Sequence, residues 1–313
     1  MNDQPKRGFK KKTIVENIRK KMNAWIKTID DKELQKLVHR DYIITGGAIT
    51  SMLLGELPND YDVYFKTSET ALAVAKYYIK DIKASGYVSK VEAHAIEYGV
   101  KIMIKSAGIA TSEDDEFSGY DYFEGTDGSN IESYLDRNSF KEKKKYTIAM
   151  VTSNAISLHG DIQLIMRFVG EPEEIHKNYD FLHVTNWFTE ASGLVLNAQA
   201  LESILAKELK YVGSLFPICS MFRIKKFLNR GWTITAGEML KIAWDINKLN
   251  LNDIKVLEEQ LIGVDAAYFH QLLDLIKKSD KQLDRTYLFE CINRVFDEDT
   301  EEANEFHELV GEE

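Results

Sequence analysis

Cysteine is almost absent from this chain of 313 residues: Cys219 and Cys291 stand far apart and fit neither a zinc pattern nor a disulfide framework. Long apolar runs are also missing. No stretch approaches the roughly 20 residues that a bilayer-spanning helix needs, so no membrane association is expected. The N-terminus, MNDQPKRGFKKKTIVENIRKK, carries charge without an apolar core, which excludes reading it as a secretory signal. Together these absences point to a reducing, cytoplasmic setting. A positive charge excess is lacking as well. The net charge of -10 argues against a protein coated in nucleic acid.

What is present is an ordinary globular composition, 44% hydrophobic and 29% charged, enough for a sizeable core. The length exceeds a typical single domain, so two are expected. Charge is uneven. Lys6, Arg7, Lys10, Lys11, Lys12, Arg19, Lys20 and Lys21 make the start basic, whereas Glu113 to Glu116 and the tail from Asp297 to Glu313 are acidic. Such runs read first as solvated faces or frayed ends, with a basic arm touching RNA or DNA as the alternative.

The stretch around which the rest is organised is Ile43 to Phe65, IITGGAITSMLLGELPNDYDVYF. A short apolar run ends in Gly46-Gly47, and Ala48 to Leu54 reads as one short helix closed by Gly55 and Pro58. Asp60 to Phe65 is a β-branched and aromatic strand. Alternation puts Asp60 and Asp62 on one face, with Tyr61 and Val63 on the other. Two adjacent carboxylates repel unless a cation lies between them. Mg²⁺ suits that position, because it takes one or two carboxylates and fills its octahedron with water and phosphate oxygens. The glycine pair at a helix start lets backbone N–H groups approach phosphate closely.

Gly46-Gly47, twelve intervening residues and then Asp60-Tyr61-Asp62 resemble the signature of the DNA-polymerase-β-like nucleotidyltransferase superfamily. The wording is similar to tRNA nucleotidyltransferases and to AbiEii-type toxin nucleotidyltransferases. The longer run, through NAISLHGDIQLIMRF to GSLFPICSMFRIKKFLNRGW, resembles uncharacterised nucleotidyltransferase-like proteins of tailed bacteriophages, which would place the chain in a host cytoplasm. The resemblance implies an NTP substrate whose phosphates rest on Gly46 and Gly47. It also implies two Mg²⁺ ions held by Asp60 and Asp62, and a third carboxylate from a neighbouring strand. Asp161 is the candidate for that third position by its place in the pattern, with Asp180 as runner-up; a plain turn residue is the competing reading of Asp161.

In chain order, residues 1–11 read as a flexible tail. Val15, Ile18, Met22, Trp25 and Ile29 mark one helical face, and Asp30 or Asp31 is placed to cap a second helix running to about His39. Ser68 is the expected N-cap of a third, ending near Gly86. One or two strands follow over 87–105, then a long acidic and glycine-bearing loop at about 107–138, read as a lid or a plain insertion. Lys141, Lys143, Lys144 and Lys145 lead into a strand from Tyr146 to Thr152; they read either as a phosphate contact or as protection of a strand edge. Two strands flank the His159-Gly160 turn. In the second, Ile162, Leu164, Met166 and Phe168 are expected to face the core, with Asp161, Gln163, Ile165 and Arg167 opposite. His159, His176 and His183 have no metal-ligand spacing and read as ordinary histidines.

Beyond Ser192 helical periodicity dominates, at about 196–211, 217–229, 236–248, 252–261, 266–278 and 284–296. On the second of these Arg223, Lys226 and Arg230 share a face. The resemblance makes Arg223 and Lys226 nucleotide-phosphate candidates, against the plainer reading of a solvated face.

The expectation is therefore an α+β fold, a nucleotidyltransferase-type mixed sheet flanked by helices over residues 12–191, followed by an all-helical domain over 192–313 with an acidic tail. The expected activity is Mg²⁺-dependent transfer of NMP from an NTP to an acceptor, an RNA 3′ end or a protein hydroxyl. The rivals are a non-catalytic nucleotide- or RNA-binding relative and a phage-encoded interaction or assembly protein with a host partner.

Overall fold

The computed structural model describes residues 7–85, 88–106 and 146–251, and the single positions 253, 256, 260 and 293. The expected loop at 107–138, the lysine cluster at 141–145, the helices beyond 251 and the acidic tail lie outside the described residues. The chain divides into two compact units, Met1–Ala206 and Lys207–Glu313.

In the first unit, α1 (Lys11–Ile26) and α2 (Lys32–Asp41) precede β1 (Tyr42–Thr45), α3 (Gly47–Leu53) and β2 (Tyr61–Phe65). Then come α4 (Ser68–Ser85), β3 (Val88–Ile96), β4 (Gly99–Ser106), β5 (Ile148–Val151), β6 (Ala155–Leu158) and β7 (Ile162–Val169). The unit ends with α5 (Pro172–His176), β8 (Trp187–Thr189), β9 (Gly193–Val195) and α6 (Ala198–Ala206). Seven strands form one sheet in the order β5-β6-β7-β2-β1-β8-β9, and β3 pairs with β4 as a separate hairpin. The sheet is mixed: β1 runs antiparallel to β2 and β8, while β7 lies parallel to β2. A mixed sheet with helices is thus the architecture of this unit.

Alternation along β1 and β2 sorts the faces. Tyr42, Ile44, Tyr61, Val63 and Phe65 enter the main core with Ile14, Ile18, Met22 and Trp25 of α1. Trp25 Nε1 donates to Tyr78 Oη of α4 at 2.8 Å, tying the two helices together under the sheet. The opposite face carries Ile43 and Tyr64, covered by Ile175 of α5.

Several local expectations shift. Ile14 is fully buried on α1 and Val15 only partly so, because Ile14 lies one four-residue step before Ile18 on the stripe that continues through Met22 and Trp25. Asp31 is the cap of α2, accepting from the N–H groups of Glu33 and Leu34. Thr67, not Ser68, caps α4: its hydroxyl accepts from Thr70 N–H at 3.2 Å. Phe168 leaves the main core and packs with Ile43 and Tyr64. The cause is an irregularity in β7, where the register passes from Val63↔Leu164 to Phe65↔Val169. Met166 and Arg167 both donate to the Asn154 carbonyl there, and such a bulge reverses the faces beyond it.

The sequence-based boundary at 191/192 falls inside the β8–β9 hairpin, where Trp187 pairs with Val195. The expected helix at 196–211 is shorter, because Lys207 at φ 48° breaks it. In the second unit, taken by itself, β10 (Glu208–Leu209) pairs parallel with β11 (Thr233–Ile234), so its described part is helical with one short β pair. Its described helices are α7 (Pro217–Asn229) and α8 (Ala236–Ile246). Tyr211 joins the pair to α8: its N–H donates to Glu238 Oε2 at 2.8 Å and its hydroxyl to Asp245 Oδ2 at 2.9 Å. No described helix is long and apolar enough to cross a membrane.

Candidate active site

The site is built where β1 hands over to α3. Thr45 ends the strand, and Gly46 turns the chain at φ 86°, ψ −151°, a conformation open essentially only to glycine. Gly46 N–H donates to the Val184 carbonyl at 3.1 Å, and Thr50 Oγ1 donates to the His183 carbonyl at 2.9 Å. These two bonds pin the start of α3 against the 3₁₀ turn Leu182–Val184. Gly47, the first helical residue, is exposed, and a β-carbon there would meet nothing within 4 Å.

Strand pairing then aligns three side chains across the sheet. Thr45 of β1 lies opposite Asp62 of β2, and Asp62 lies beside Gln163 of β7. Lateral neighbours of this kind have β-carbons about 5 Å apart. Asp62 is half-buried and packs against the hydrogen face of Gly46, where an added β-carbon would stand 2.9 Å from its Oδ2. The absence of a side chain at Gly46 is what admits the carboxylate. Asp60 stands just before β2, exposed and two residues from Asp62.

Asp161 does not join them. It sits in the β6–β7 turn at φ 57°, and its backbone carbonyl accepts from Tyr61 N–H at 2.9 Å. Its carboxylate is held 3.0 Å from Lys21 Nζ of α1, which itself lies over the Tyr61 ring at 5.4 Å. Tyr61 belongs to the main-core face, so Asp161 is drawn to the side of the sheet away from Asp62. Left-handed turn residues escape strand alternation, which is why the sequence pattern misplaces it. Gln163, not a carboxylate, is the neighbour of Asp62 on the adjacent strand.

Asp180 is buried at 6% exposure on the loop after α5. Arg223 and Lys226 are exposed on α7 of the second unit. The three histidines differ: His159 is exposed in its turn, His183 is fully buried, and His176 reaches the row of Thr45, Asp62 and Gln163.

Tyr179 and Thr45 are members that sequence reasoning did not single out, and His176 is one it read as an ordinary histidine. Thr45 Oγ1 donates to the Asn186 carbonyl at 2.9 Å, which commits its only proton. The 2.8 Å contact between His176 Nε2 and Thr45 Oγ1 is therefore assigned as N–H donated by a neutral imidazole. Burial pushes the His176 pKa down to about 4, with Glu173 opposing. Neutral histidine stabilises the fold fully above its unfolded pKa of about 6.5, and that contribution is lost as pH falls toward 4. Melting temperature is thus expected to fall between pH 7 and 5, and His176→Gln is expected to flatten that slope. An unchanged slope in the variant would show that other groups govern it. No sequence signal marks these residues, since only register and the return of the α5 loop bring them beside Asp62.

Among the described residues no three His, Cys, Asp or Glu side chains converge as a metal-binding group. The donors at hand are two carboxylates, an amide and hydroxyls. That set fits a cation that supplies most of its own shell from water and phosphate, as Mg²⁺ does, rather than a protein-caged ion.

The family model described as Gabija anti-defense 2 family protein matches residues 16–207. The chain belongs to the Gabija anti-defense 2 family. The matched span contains the whole seven-stranded sheet and every residue of the row described above. Gabija anti-defense 2 of Bacillus phage SPbetaL7 is 21% identical over 275 residues, covering 87% of this chain and 53% of that protein. The chain thus spans about half the length of this curated relative. The relative is a phage protein. Among solved structures, the Thermotoga maritima CCA-adding enzyme complexed with tRNA-CCA overlaps at a TM-score of 0.39 and 10% identity, over 88% of this chain and 65% of that one. The Bacillus stearothermophilus CCA-adding enzyme in complex with CTP overlaps at 0.37 and 14% identity, over 82% and 52% of the respective chains.

Proposed function

We propose that this Gabija anti-defense 2 family member is a divalent-metal-dependent nucleotidyltransferase, moving NMP from an NTP to a hydroxyl on an RNA 3′ end or a protein. The observation that carries the reading is the seating of Asp62 against Gly46: a strand carboxylate and an exposed helix start, Gly47, share one open corner of the sheet. Charge complementarity divides the work. Backbone N–H groups at Gly46-Gly47 receive the triphosphate, aided by the positive end of α3. Asp60 and Asp62 hold the cation. When bound, that cation neutralises the triphosphate and lowers the pKa of the acceptor hydroxyl.

The acceptor oxygen forms a new bond to the α-phosphorus as the bond to the pyrophosphate oxygen breaks, and the hydroxyl proton leaves to solvent. Positioning and charge neutralisation account for most of the acceleration in such displacements. Asp161, engaged by Lys21, takes no part in this scheme, and Gln163 supplies a neutral oxygen where a third carboxylate was expected. Arg223 and Lys226, exposed on α7 of the second unit, stay phosphate-binding candidates by the resemblance alone, and the scheme does not use them.

A two-carboxylate site also favours a second reading, nucleotide binding without turnover. Incubation with Mg²⁺ and each α-³²P-labelled NTP, with host RNA and protein extract as acceptors, separates the two. Label retained in one acceptor class establishes transfer; nucleotide bound but never transferred establishes the binder. The family name sets either outcome in the context of a phage acting against a bacterial defence.

A further inference from the structure

Tyr179 lies on the loop after α5, its ring between His176 at 5.1 Å and Tyr64 at 6.1 Å, centroid to centroid. The ring is half-buried, but the hydroxyl is sealed from solvent; the Tyr64 and Thr45 hydroxyls are its polar neighbours, and neither makes a hydrogen bond of good geometry with it. Buried hydroxyls are nearly always paired, so one left unmade asks for a reason. The position of this one suggests it. Tyr179 Oη stands 3.7 Å from the point above Gly46 where a β-carbon would sit, and Asp62 Oδ2 stands 2.9 Å from that same point. Hydroxyl and carboxylate therefore border one small space that exists only because residue 46 is glycine. A tyrosine hydroxyl is protonated at neutral pH, so the group is a donor.

We propose that Tyr179 is a positioning residue for Asp62: its hydroxyl donates to the carboxylate when cation and nucleotide are seated, and so sets which oxygen faces the ligand. This rests on the nucleotidyltransferase reading above. A sealed hydroxyl without a well-aligned acceptor is a cost to the fold, and a bond to the carboxylate removes it. Hydrogen bonds to charged groups are among the stronger ones, so their loss is readable in affinity.

The test is Tyr179→Phe, which keeps the ring and removes only the oxygen. Thermal melts without ligand and calorimetry with Mn²⁺ plus the α,β-methylene analogue of ATP, CTP, GTP or UTP, one at a time, give two independent readouts. The variant is expected to melt at or above the wild-type temperature, while its dissociation constant for the Mn²⁺–nucleotide rises about tenfold. A merely structural hydroxyl would give the reverse, a lower melting temperature with unchanged affinity, and would overturn the proposal. If Asp62→Asn loses binding while Tyr179→Phe binds as wild type does, the positioning role falls and the nucleotidyltransferase reading stands. If wild type binds none of the four analogues with Mn²⁺, both fall together.

Discussion

Asp62→Ala is expected to reduce NMP transfer by at least about a hundredfold while leaving the protein folded. Asp62 is the half-buried member of the acid pair, placed between Thr45 and Gln163 and pressed against Gly46. Removing it takes away the carboxylate that the proposal assigns to the cation and relieves repulsion from Asp60, so stability has little reason to drop. Asp60→Ala should behave alike, with a smaller effect on melting because Asp60 is exposed. Asp161→Asn is the informative contrast. Its carboxylate is committed to Lys21 on the other side of the sheet, so transfer should stay within a few-fold of wild type. The measurement is label transfer from α-³²P-NTP beside a thermal melt of each variant. Wild-type turnover by Asp62→Ala would end the proposed mechanism. Loss of turnover in Asp161→Asn would restore the three-carboxylate site expected from sequence.

Gly46→Ala is expected to cost roughly 2–3 kcal/mol of stability and to abolish nucleotide binding, from two causes that act together. At φ 86° and ψ −151° an L side chain is strained whatever space surrounds it. The added methyl would also stand 2.9 Å from Asp62 Oδ2, so the carboxylate must move off its place in the row. Gly47→Ala separates backbone from site. Gly47 is helical, with open space around its β-carbon position, so alanine there should leave stability equal or slightly higher. Any fall in nucleotide affinity of that variant would then report the approach of phosphate to the start of α3. Denaturant melts and calorimetry with Mn²⁺–nucleotide read both positions. Equal tolerance of alanine at 46 and 47 would contradict the geometry assigned to Gly46.

Much of this was legible in the residues. The β-branched and aromatic run after Asp60 is a strand, the amphipathic period at the start is α1, and Pro217 opens α7 at the expected residue. These are properties of neighbours in sequence, set by alternation, helical period and the fixed φ of proline. Gly46-Gly47 and Asp60-x-Asp62 were legible for the same reason, since a turn and a strand edge are short-range matters. What failed did so where a single backbone angle overrides the pattern. Asp161 at φ 57° leaves its strand face, Lys207 at φ 48° ends a helix early, and the β7 bulge sends Phe168 to the other layer.

The sequence by itself therefore determined α1, β1, α3 and β2 and the places of Gly46, Gly47, Asp60 and Asp62 along them, because each rests on residues within a few positions of one another. Only the tertiary structure decided the company that Asp62 keeps. Thr45 and Gln163 arrive through strand register, and His176 and Tyr179 through a loop more than one hundred residues further along the chain. Such contacts depend on which strands pair and where a bulge falls, and those are settled by the packing of both sheet faces at once rather than by any local run of residues.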